Sequence, residues 1–546
     1  MSTVISGTLF DPVKQSLGGA RLSISETGVI EAVSPDSNPD KGFILPGFVD
    51  AHVHIESSML TPSAFARAAV VHGTLAAAAD PHEIANVIGK AGVELMLRLA
   101  AQTPFVFGFG VPSCVPATSF ETAGADLGPE AVEELLGLPG ITHLAEMMNV
   151  PGVLNHDPAV LAKLAAAHKR GLPADGHAPG LTGDSLRAYA AAGITTDHES
   201  LTLEEAREKI AAGMKIQIRY GSAARRFEEF LPLLADRPDM CMFCSDDKHP
   251  DDLLKDHINH IAAAARRAGI PLAAIVRAAS VNPVRHYGLP LGLLQVGDSA
   301  DFQIVDDLES FRPREAWLRG QPVARDGASL LTVGVPEILN HFAALPLAPE
   351  ALRIPAESTR NIRVIGVHDG MLLTDHLSLA PTILGGAVVA DNARDIIKLV
   401  VYNRYQPAPP AIGMIRGFGI KHGAIASSVA HDSHHIVAAG VTDTALASAI
   451  NAVVNDKGGL AVAEQDGRIL ARLPLPLAGL MSPEPAEAAA HAYAQCDRRA
   501  KELGSVLAAP FMTLSFMALP VIPSLKLTDK GLFDGVAFRH VPLRAD

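Results

Sequence analysis

The chain has 546 residues, of which 48% are hydrophobic and 19% are charged, and its formal net charge is −14. This composition is typical of a folded globular protein and excludes an intrinsically disordered one. Because an acidic protein gains nothing from phosphate backbones or anionic lipids, we expect neither nucleic acid nor a membrane as a partner.

The predicted elements change character twice along the chain. Short strands with glycine-containing turns occupy residues 1–43 and return at 288–340, and we predict that both segments join into one small flanking β-domain. Between them, residues 44–287 alternate short apolar strands with alanine-rich helical stretches, which predicts a (β/α)8 barrel of the TIM type. Residues 355–546 are predicted to form a C-terminal α/β domain. The clearest predicted helices are 159–168, 183–192, 203–212 and 443–454.

The uncharged segment 503–525 is long enough to be weighed as a membrane span, but three prolines interrupt it. We interpret it as buried strand and loop. The four cysteines are too few for a disulfide framework, and the first residues lack the basic and apolar regions of a signal peptide. We therefore expect a cytoplasmic protein.

Two histidines stand two residues apart at the start of the predicted barrel. His52 and His54 follow an apolar run, and side chains two apart on a strand point to the same side. Both imidazoles can therefore face one metal ion.

Further acids and histidines stand where later barrel strands end, which is where barrel enzymes place their working residues. They are Glu146, His177, His198 and Asp246. One histidine at a strand end is more often an ordinary polar residue than a ligand. All six residues in order on one barrel predict a metal site. Cys241 and Cys244 have the spacing of half a zinc knuckle, but the sequence has no second such pair, so we interpret them as packing residues.

Seven longer motifs carry a family resemblance. They are PGFVDAHVHIESSML (46–60), ADPHEIANVIG (79–89), HLAEMMNVPGVL (143–154), DGHAPGL (175–181), DHES (197–200), FCSDDKHPDDL (243–253) and GFGIKHGAIASSVAHDSHHIVAAG (417–440). Together they resemble the amidohydrolase superfamily of barrel metal hydrolases and, within it, the adenine deaminase family. The resemblance covers nearly the whole chain. It implies hydrolytic deamination of adenine to hypoxanthine and ammonia by metal-activated water.

The resemblance also implies a centre of two divalent metal ions. The implied ligands are His52, His54 and Asp246 for one ion, His177 and His198 for the other, and Glu146 as the bridge. Many relatives bridge with a carbamylated lysine instead; here the segment 141–146 contains no lysine and ends in glutamate. Because the ligands are nitrogen and oxygen without thiolate, Mn²⁺, Fe²⁺ and Zn²⁺ all remain candidates.

Deamination requires a nucleophilic water at C6 of adenine and a proton for the ring and for the leaving amine. Asp246 is the predicted proton shuttle, and Glu146 is the second predicted catalytic residue. An acid must also bind or protonate the purine ring.

Three acids are predicted to bind the substrate, namely Asp80, Glu83 and Asp247, with Asp80 ranked first; Glu56 is a further candidate. Asp80 precedes Pro81 and could equally cap a helix or form a turn, and Glu83 could be an ordinary acid of a first helical turn.

Two features stay open. Relatives have an acid where Tyr220 stands, so no substrate role is assigned to that position. In the C-terminal domain the motif His431-Asp432-Ser433-His434-His435 could ligate metal or could form a loop before a strand at 435–440.

Two alternatives compete with the deaminase interpretation. Another two-metal amidohydrolase could open a cyclic amide, such as a dihydropyrimidine or a hydantoin, with the same ligands. A catalytically silent binding protein on the same fold is the second alternative, and the presence of all six ligands argues against it. If the chain assembles, we expect a homodimer or a higher homo-oligomer.

Overall fold

The structure is a computed structural model that describes residues 3–222, 227–356 and 360–545. The chain forms two compact units, and each is composed of several segments. The first unit contains residues 1–82, 93–114 and 127–335, and the second contains 83–92, 115–126 and 336–546. The predicted domain ranges include residues 1–2, 223–226, 357–359 and 546, which lie outside the described residues. The predicted domain boundaries stay a prediction.

The strands of the first unit build a flanking sheet and a barrel. In chain order they are β1 Thr3–Asp11, β2 Ser16–Ile24, β3 Ile30–Pro35, β4 Lys41–Pro46, β5 Phe48–Val53, β6 Thr74–Ala79, β7 Val106–Val111, β8 Ile141–Met147, β9 Ala174–Gly176, β10 Thr196–Asp197, β11 Lys215–Arg219, β12 Cys241–Cys244, β13 Phe302–Val305, β14 Pro313–Leu318, β15 Gln321–Arg325 and β16 Ala328–Ser329.

The flanking sheet combines strands from both sides of the barrel in sequence. Its order is β16-β15-β14-β13-β4-β1-β2-β3. The two halves meet where β13 pairs antiparallel with β4, with Ile304 opposite Ile44. Both residues are fully buried in the apolar core of this sheet. The predicted β-domain built from both sides of the barrel is therefore confirmed.

Strands β5 to β12 form a closed parallel barrel. They pair as β5-β6-β7-β8-β9 and as β10-β11-β12. Parallel bridges between Ala174 and Ile194 and between Val53 and Asp246 join the two runs and close the ring. Every residue of β5 and β6 is buried, as expected for strands covered on both faces. The predicted (β/α)8 fold is confirmed.

Helices follow the barrel strands. Those up to residue 287 are α1 Pro62–Ala69, α2 His82–Ile88, α3 Lys90–Ala100, α4 Pro129–Leu135, α5 Val150–Leu154, α6 Pro158–Lys169, α7 Gly183–Ala191, α8 Leu203–Ala211, α9 Pro232–Asp236, α10 Pro250–Leu253, α11 Ile258–Arg267, α12 Leu272–Val276 and α13 Asn282–Tyr287, with a π-helix at Arg277–Val281. Their starts follow local sequence: Asp157 caps α6 by accepting hydrogen bonds from the N–H groups of Ala159 and Val160. The helices predicted at 159–168, 183–192 and 203–212 are confirmed.

The second unit has strands and helices of its own. They are β17 Ile354–Pro355, β18 Ile362–Gly366, β19 Asp375–Leu379, β20 Thr382–Leu384, β21 Ala387–Val389, β22 Ile396–Tyr402, β23 Ala411–Arg416, β24 Ala424–Ser427, β25 Ile436–Gly440, β26 Gly459–Ala463, β27 Ile469–Pro474, β28 Leu525–Thr528, β29 Gly531–Asp534, β30 Arg539–His540, α14 Asp443–Asn455, α15 Ala486–Glu502 and α16 Pro510–Ser515.

Its central sheet is mostly antiparallel, in the order β19-β18-β23-β22-β25-β24-β26-β27. Buried residues of α14, among them Leu446 and Ile450, pack against Ala426 and Ala438 of the sheet. This layer of helix on sheet confirms the predicted C-terminal α/β fold and the helix predicted at 443–454.

The uncharged segment 503–525 is mostly buried, with Val506 and Val521 exposed, but the prediction of strand and loop is wrong. It contains α16 and a 3₁₀-helix at Phe516–Ala518. Pro510 occupies the first helical position, where its missing N–H costs no hydrogen bond, so this proline starts a helix instead of excluding one. Across the described ranges, no helix combines the length and the apolar character needed to cross a membrane.

Candidate metal centre

The closure of the barrel brings His52, His54 and Asp246 together. The N–H of Asp246 donates to the carbonyl of His52 at 2.9 Å, and the N–H of His54 donates to the carbonyl of Asp246 at 3.2 Å. The Nε2 atoms of the two histidines lie 3.2 Å apart. Oδ1 of Asp246 lies 3.1 Å from Nε2 of His54 and 3.8 Å from Nε2 of His52. The three side chains are buried and converge on one point.

Glu146, near the end of β8, lies between two groups of histidines. Its Oε2 is 2.6 Å from Nδ1 of His177 and 3.1 Å from Nε2 of His198. Its Oε1 is 3.5 Å from Nε2 of His54. The structure therefore brings all six predicted ligands together. We call this set the Glu146 cluster; it consists of His52, His54, Glu146, His177, His198 and Asp246.

Within the Glu146 cluster, His52 and the carboxylates are in the charge state that divalent metal ions require, whereas the carboxylates raise the pKa of His54, His177 and His198, whose protons a metal ion must displace. Burial, together with the neighbouring His198 and His54, lowers the pKa of His52 to about 3, so this ring is neutral and has a lone pair to offer. Burial opposes ionisation of Glu146, but His177 and His198 outweigh it and hold the pKa of the carboxyl well below its usual value. Neutral imidazole and ionised carboxylate are the donors that such ions require.

Asp80 and His82 extend the cluster. His82, the first residue of α2, has its Nδ1 3.2 Å from Oδ2 of Asp80 and 3.4 Å from Oε1 of Glu146. Oδ1 of Asp80 also accepts a hydrogen bond from the N–H of His82 at 3.0 Å. Asp80 therefore caps the start of a helix and borders the cluster at once. Sequence reasoning missed His82, although β6 ends at Ala79 and the strand-end rule applied to this strand would have found it.

Sequence reasoning also missed Arg219, at the end of β11. Its guanidinium pairs with the carboxylates of both Asp246 and Glu199. Burial alone would raise the pKa of Asp246, but Arg219 and then His54 hold it well below the usual value. Arg219 thus keeps Asp246 ionised. The missed signal is a cation at a strand end, which a strand-end rule for histidines and acids does not include.

Buried polar contacts fix the strands that carry the ligands. Asp50, two residues before His52, accepts hydrogen bonds from the N–H of Ser245 and from Nε2 of His257, each at 2.9 Å. Asp175, two residues before His177, accepts from the hydroxyl of Tyr287 at 2.8 Å. These hydrogen bonds fix the strand ends that carry the ligands, and residues around a metal site orient its ligands in this way.

The other predicted site residues are placed differently. Asp247 is half-buried, and its Oδ1 accepts a hydrogen bond from the hydroxyl of Ser57 at 2.5 Å. Glu56 is buried in a 3₁₀-helix after β5. Glu83 belongs to the second unit, although it follows His82 directly in sequence.

Tyr220 and the cysteine pair Cys241 and Cys244, which the sequence left without a role in the site, occupy packed positions. The ring of Tyr220 stacks on His260 with centroids 4.4 Å apart, and Nζ of Lys248 lies 4.4 Å from the same ring. Cys241 and Cys244 are fully buried on β12 and form no disulfide. The cysteines therefore pack, as predicted.

In the second unit, Glu83 is held by histidines of the 431–435 motif. One carboxylate oxygen contacts Nδ1 of His431, and the other contacts Nε2 of His434. Nδ1 of His434 accepts the N–H of Ala430 at 3.1 Å, so the proton of this neutral ring stands on Nε2. Burial lowers the pKa of His434 to about 4, which keeps it neutral. A ring with this proton arrangement donates to Glu83 and is not set to bind a metal ion.

Comparison with known proteins places this geometry in a family. Residues 43–323 match the amidohydrolase family model, and residues 371–539 match the model of the adenine deaminase C-terminal domain. The adenine deaminase of Salinibacter ruber is 50% identical over 539 residues, which cover 98% of each chain. That of Sulfurovum sp. is 48% identical over 536 residues, 97% of this chain and 98% of the relative. That of Methanosarcina barkeri is 47% identical over 528 residues, 95% of this chain and 96% of the relative.

Proposed function

Because this chain belongs to the adenine deaminase family of metal-dependent amidohydrolases, we propose that it hydrolyses adenine to hypoxanthine and ammonia at the Glu146 cluster. The position of Glu146 carries the proposal. One of its oxygens faces His177 and His198, and the other faces His54. A carboxylate between two groups of histidines suits a pair of cations that it can bridge.

The cofactor proposed for this cluster is a pair of divalent ions, Mn²⁺, Fe²⁺ or Zn²⁺. His52, His54 and Asp246 would hold one ion, and His177 and His198 the other, with Glu146 shared between them. Bound there, such ions supply a water that is nucleophilic at neutral pH. Nitrogen and oxygen donors without thiolate suit all three metals.

Asp246 is proposed to move the protons. Water gives its oxygen to C6 of adenine, one of its protons ends on the purine ring, and the other leaves with the amine as ammonia. Asp246 can accept the first proton because Arg219 keeps it ionised at neutral pH. Its Oδ1 faces the histidines, and the guanidinium holds Oδ2, so the carboxylate is fixed in one orientation.

Asp80 and Asp247 are the acids proposed to contact the purine. Asp80 is buried beside His82 and near Glu146, where a carboxylate can orient a ring N–H. Asp247 follows the proposed shuttle directly, and its hydrogen bond from Ser57 sets its direction. The predicted substrate role of Glu83 stays a prediction, since both oxygens of its carboxylate contact histidines of the second unit.

The test is ammonia release by protein grown with added manganese, assayed on adenine, adenosine and dihydrouracil, with metal content measured in parallel. We expect rapid release from adenine and about two metal ions per chain, as a two-metal site requires. The control is Arg207→Met, which removes an exposed arginine paired with Asp236 and should keep full activity. Two metal ions with ring opening of dihydrouracil but no turnover of adenine would replace the proposal by the cyclic-amide reaction.

A further inference from the structure

A cavity of about 120 Å³ lies in the first unit, beside the turn that joins β1 to β2. Pro12, Val13 and Gln15 line it from the turn, and Phe10 lines it from β1. The remaining lining comes from the helical stretch 273–285. The cavity is formed by elements other than those that carry the Glu146 cluster.

Two arginines line the cavity from one face of the helical stretch. Arg277 opens the π-helix, and Arg285 lies in α13 two turns later, with Val281 between them. Arg277, Val281 and Arg285 recur at every fourth residue of this stretch, and all three line the cavity; we call them the arginine ridge. Short π-helical segments inside helices occur frequently at functional sites, and this one sits where the arginine ridge begins.

In the described part of the chain, neither Arg277 nor Arg285 forms a hydrogen bond or an ion pair through its side chain. No acidic residue lines the cavity. The nearby acids are engaged elsewhere: Asp11 lies 3.2 Å from Nζ of Lys14, and Asp239 lies 3.3 Å from the guanidinium of Arg237.

The positive charge of Arg277 acts on a nearby carboxylate, that of Asp239. Arg237 is the main cause of the lowered pKa of Asp239, and Arg277 contributes to it. Arg277 is half-buried, and Arg285 is exposed, so a ligand can reach both. In a chain of net charge −14, two unpaired arginines that face one cavity form a local excess of positive charge.

We propose that this cavity binds a phosphoryl group between Arg277 and Arg285. Guanidinium groups donate planar pairs of N–H bonds that match phosphate oxygens, which makes arginine a preferred partner for such anions. The volume corresponds to about four water molecules, enough for a tetrahedral oxyanion. The phosphoryl group can be free phosphate or the phosphate end of a nucleoside monophosphate.

The experiment is calorimetric titration of the full-length, metal-loaded protein with inorganic phosphate and, separately, with AMP at low salt. The variants are Arg277→Met, Arg285→Met and, as matched control, Arg267→Met, which removes another arginine of the same unit that does not line this cavity. Because phosphate can also bind at metal ions, the arginine-dependent part of the affinity is decisive.

We expect each cavity variant to weaken the binding by about tenfold or more, and the control to bind as wild type. Equal affinities for phosphate and AMP would identify free phosphate as the ligand, and tighter AMP binding would identify the nucleotide. The proposal is overturned if neither probe binds at millimolar concentration, or if Arg277→Met and Arg285→Met bind like wild type. Should Arg277→Met not fold, the exposed Arg285 still provides the test.

Discussion

Oε2 of Glu146 lies 2.6 Å from Nδ1 of His177, the distance of a charge-assisted hydrogen bond. Burial opposes protonation of the ring, but the carboxylate outweighs it and raises the pKa of His177 to about 9. Without metal, the ring at neutral pH therefore carries a proton on the atom that faces Glu146. A metal ion that binds through this nitrogen must displace that proton.

Metal binding by the metal-free protein should therefore release protons and tighten as the pH rises. Below about pH 9 a proton competes for His177, so we expect the affinity for Mn²⁺ to increase between pH 6 and pH 9. Calorimetry in buffers of different ionisation enthalpy measures the protons released. Glu146→Gln removes the charge that raises the pKa of His177.

This variant should lose the part of the pH dependence that comes from His177, retain less than the wild-type metal content and deaminate adenine about 10²-fold more slowly or worse. Wild-type metal content together with wild-type activity in Glu146→Gln would contradict the bridging role.

Arg219→Met should move the acid side of the pH profile. Arg219 holds the pKa of Asp246 down against the effect of burial, so its removal should raise that pKa. Asp246 must be ionised to accept a proton, and kcat/KM for adenine should then begin to fall at a higher pH than in wild type. We expect a displacement of about one pH unit or more. Arg207→Met serves as control because its ion pair with Asp236 is exposed. An unshifted profile in Arg219→Met would show that Asp246 does not depend on this arginine.

Two sequence features predict part of the site: the two-residue repeat of side chains along a strand, and the position of acids and histidines at the ends of strands. Side chains two apart on β5 face one point, and acids or histidines at strand ends converge in a parallel barrel, so His52, His54 and Glu146 could be placed together without coordinates. His82 was missed although it follows the end of β6 by three residues, because only the acids of this segment, Asp80 and Glu83, were considered.

The rest depends on contacts that no local pattern encodes. His82 and Glu83 are neighbours in sequence, yet they belong to different compact units. The contact of Arg219 with Asp246 joins the ends of two adjacent strands, β11 and β12, and hydrophobic periodicity carries no information about it. The arrangement of the 431–435 motif likewise depends on which ring nitrogen accepts a backbone N–H.

His434→Ala should destabilise the second unit without changing its metal content. The substitution removes a donor to Glu83 and leaves the N–H of Ala430 without its acceptor, both in a buried place. The expected loss is about 1–3 kcal/mol, seen as a lower unfolding temperature. His434→Gln, whose side-chain amide can still donate to Glu83, should lose less.

The matched control for this prediction is His422→Ala, which removes a partly exposed histidine paired with Glu464 and should have little effect. Loss of one metal ion per chain in His434→Ala would contradict the assigned tautomer, because a ring that donates to Glu83 through Nε2 is not a ligand.

Lys526 should make the stability of the second unit depend on pH. Its ammonium is fully buried and donates to the carbonyls of Leu372 and Phe516, at 2.8 and 3.0 Å. Burial lowers the pKa of Lys526 from 10.5 to about 7. Between pH 7 and about 10, Lys526 is therefore protonated in the unfolded chain but not in the folded chain. Because the unfolded state binds the extra proton, the free energy of unfolding rises with pH over this window, by up to about 4 kcal/mol. Below pH 7 both states are protonated and the slope from this group vanishes.

Lys526→Met removes the buried amine and, with it, the pH dependence of stability that this amine causes. The midpoint of urea unfolding should rise between pH 7 and pH 9 in wild type by more than in Lys526→Met. Lys501→Met, which removes a surface lysine that lies 2.7 Å from Asp497, should follow wild type at both pH values. Equal pH dependence in wild type and Lys526→Met would mean that the lysine keeps its proton when buried, with the two carbonyls sufficient to hold the charge.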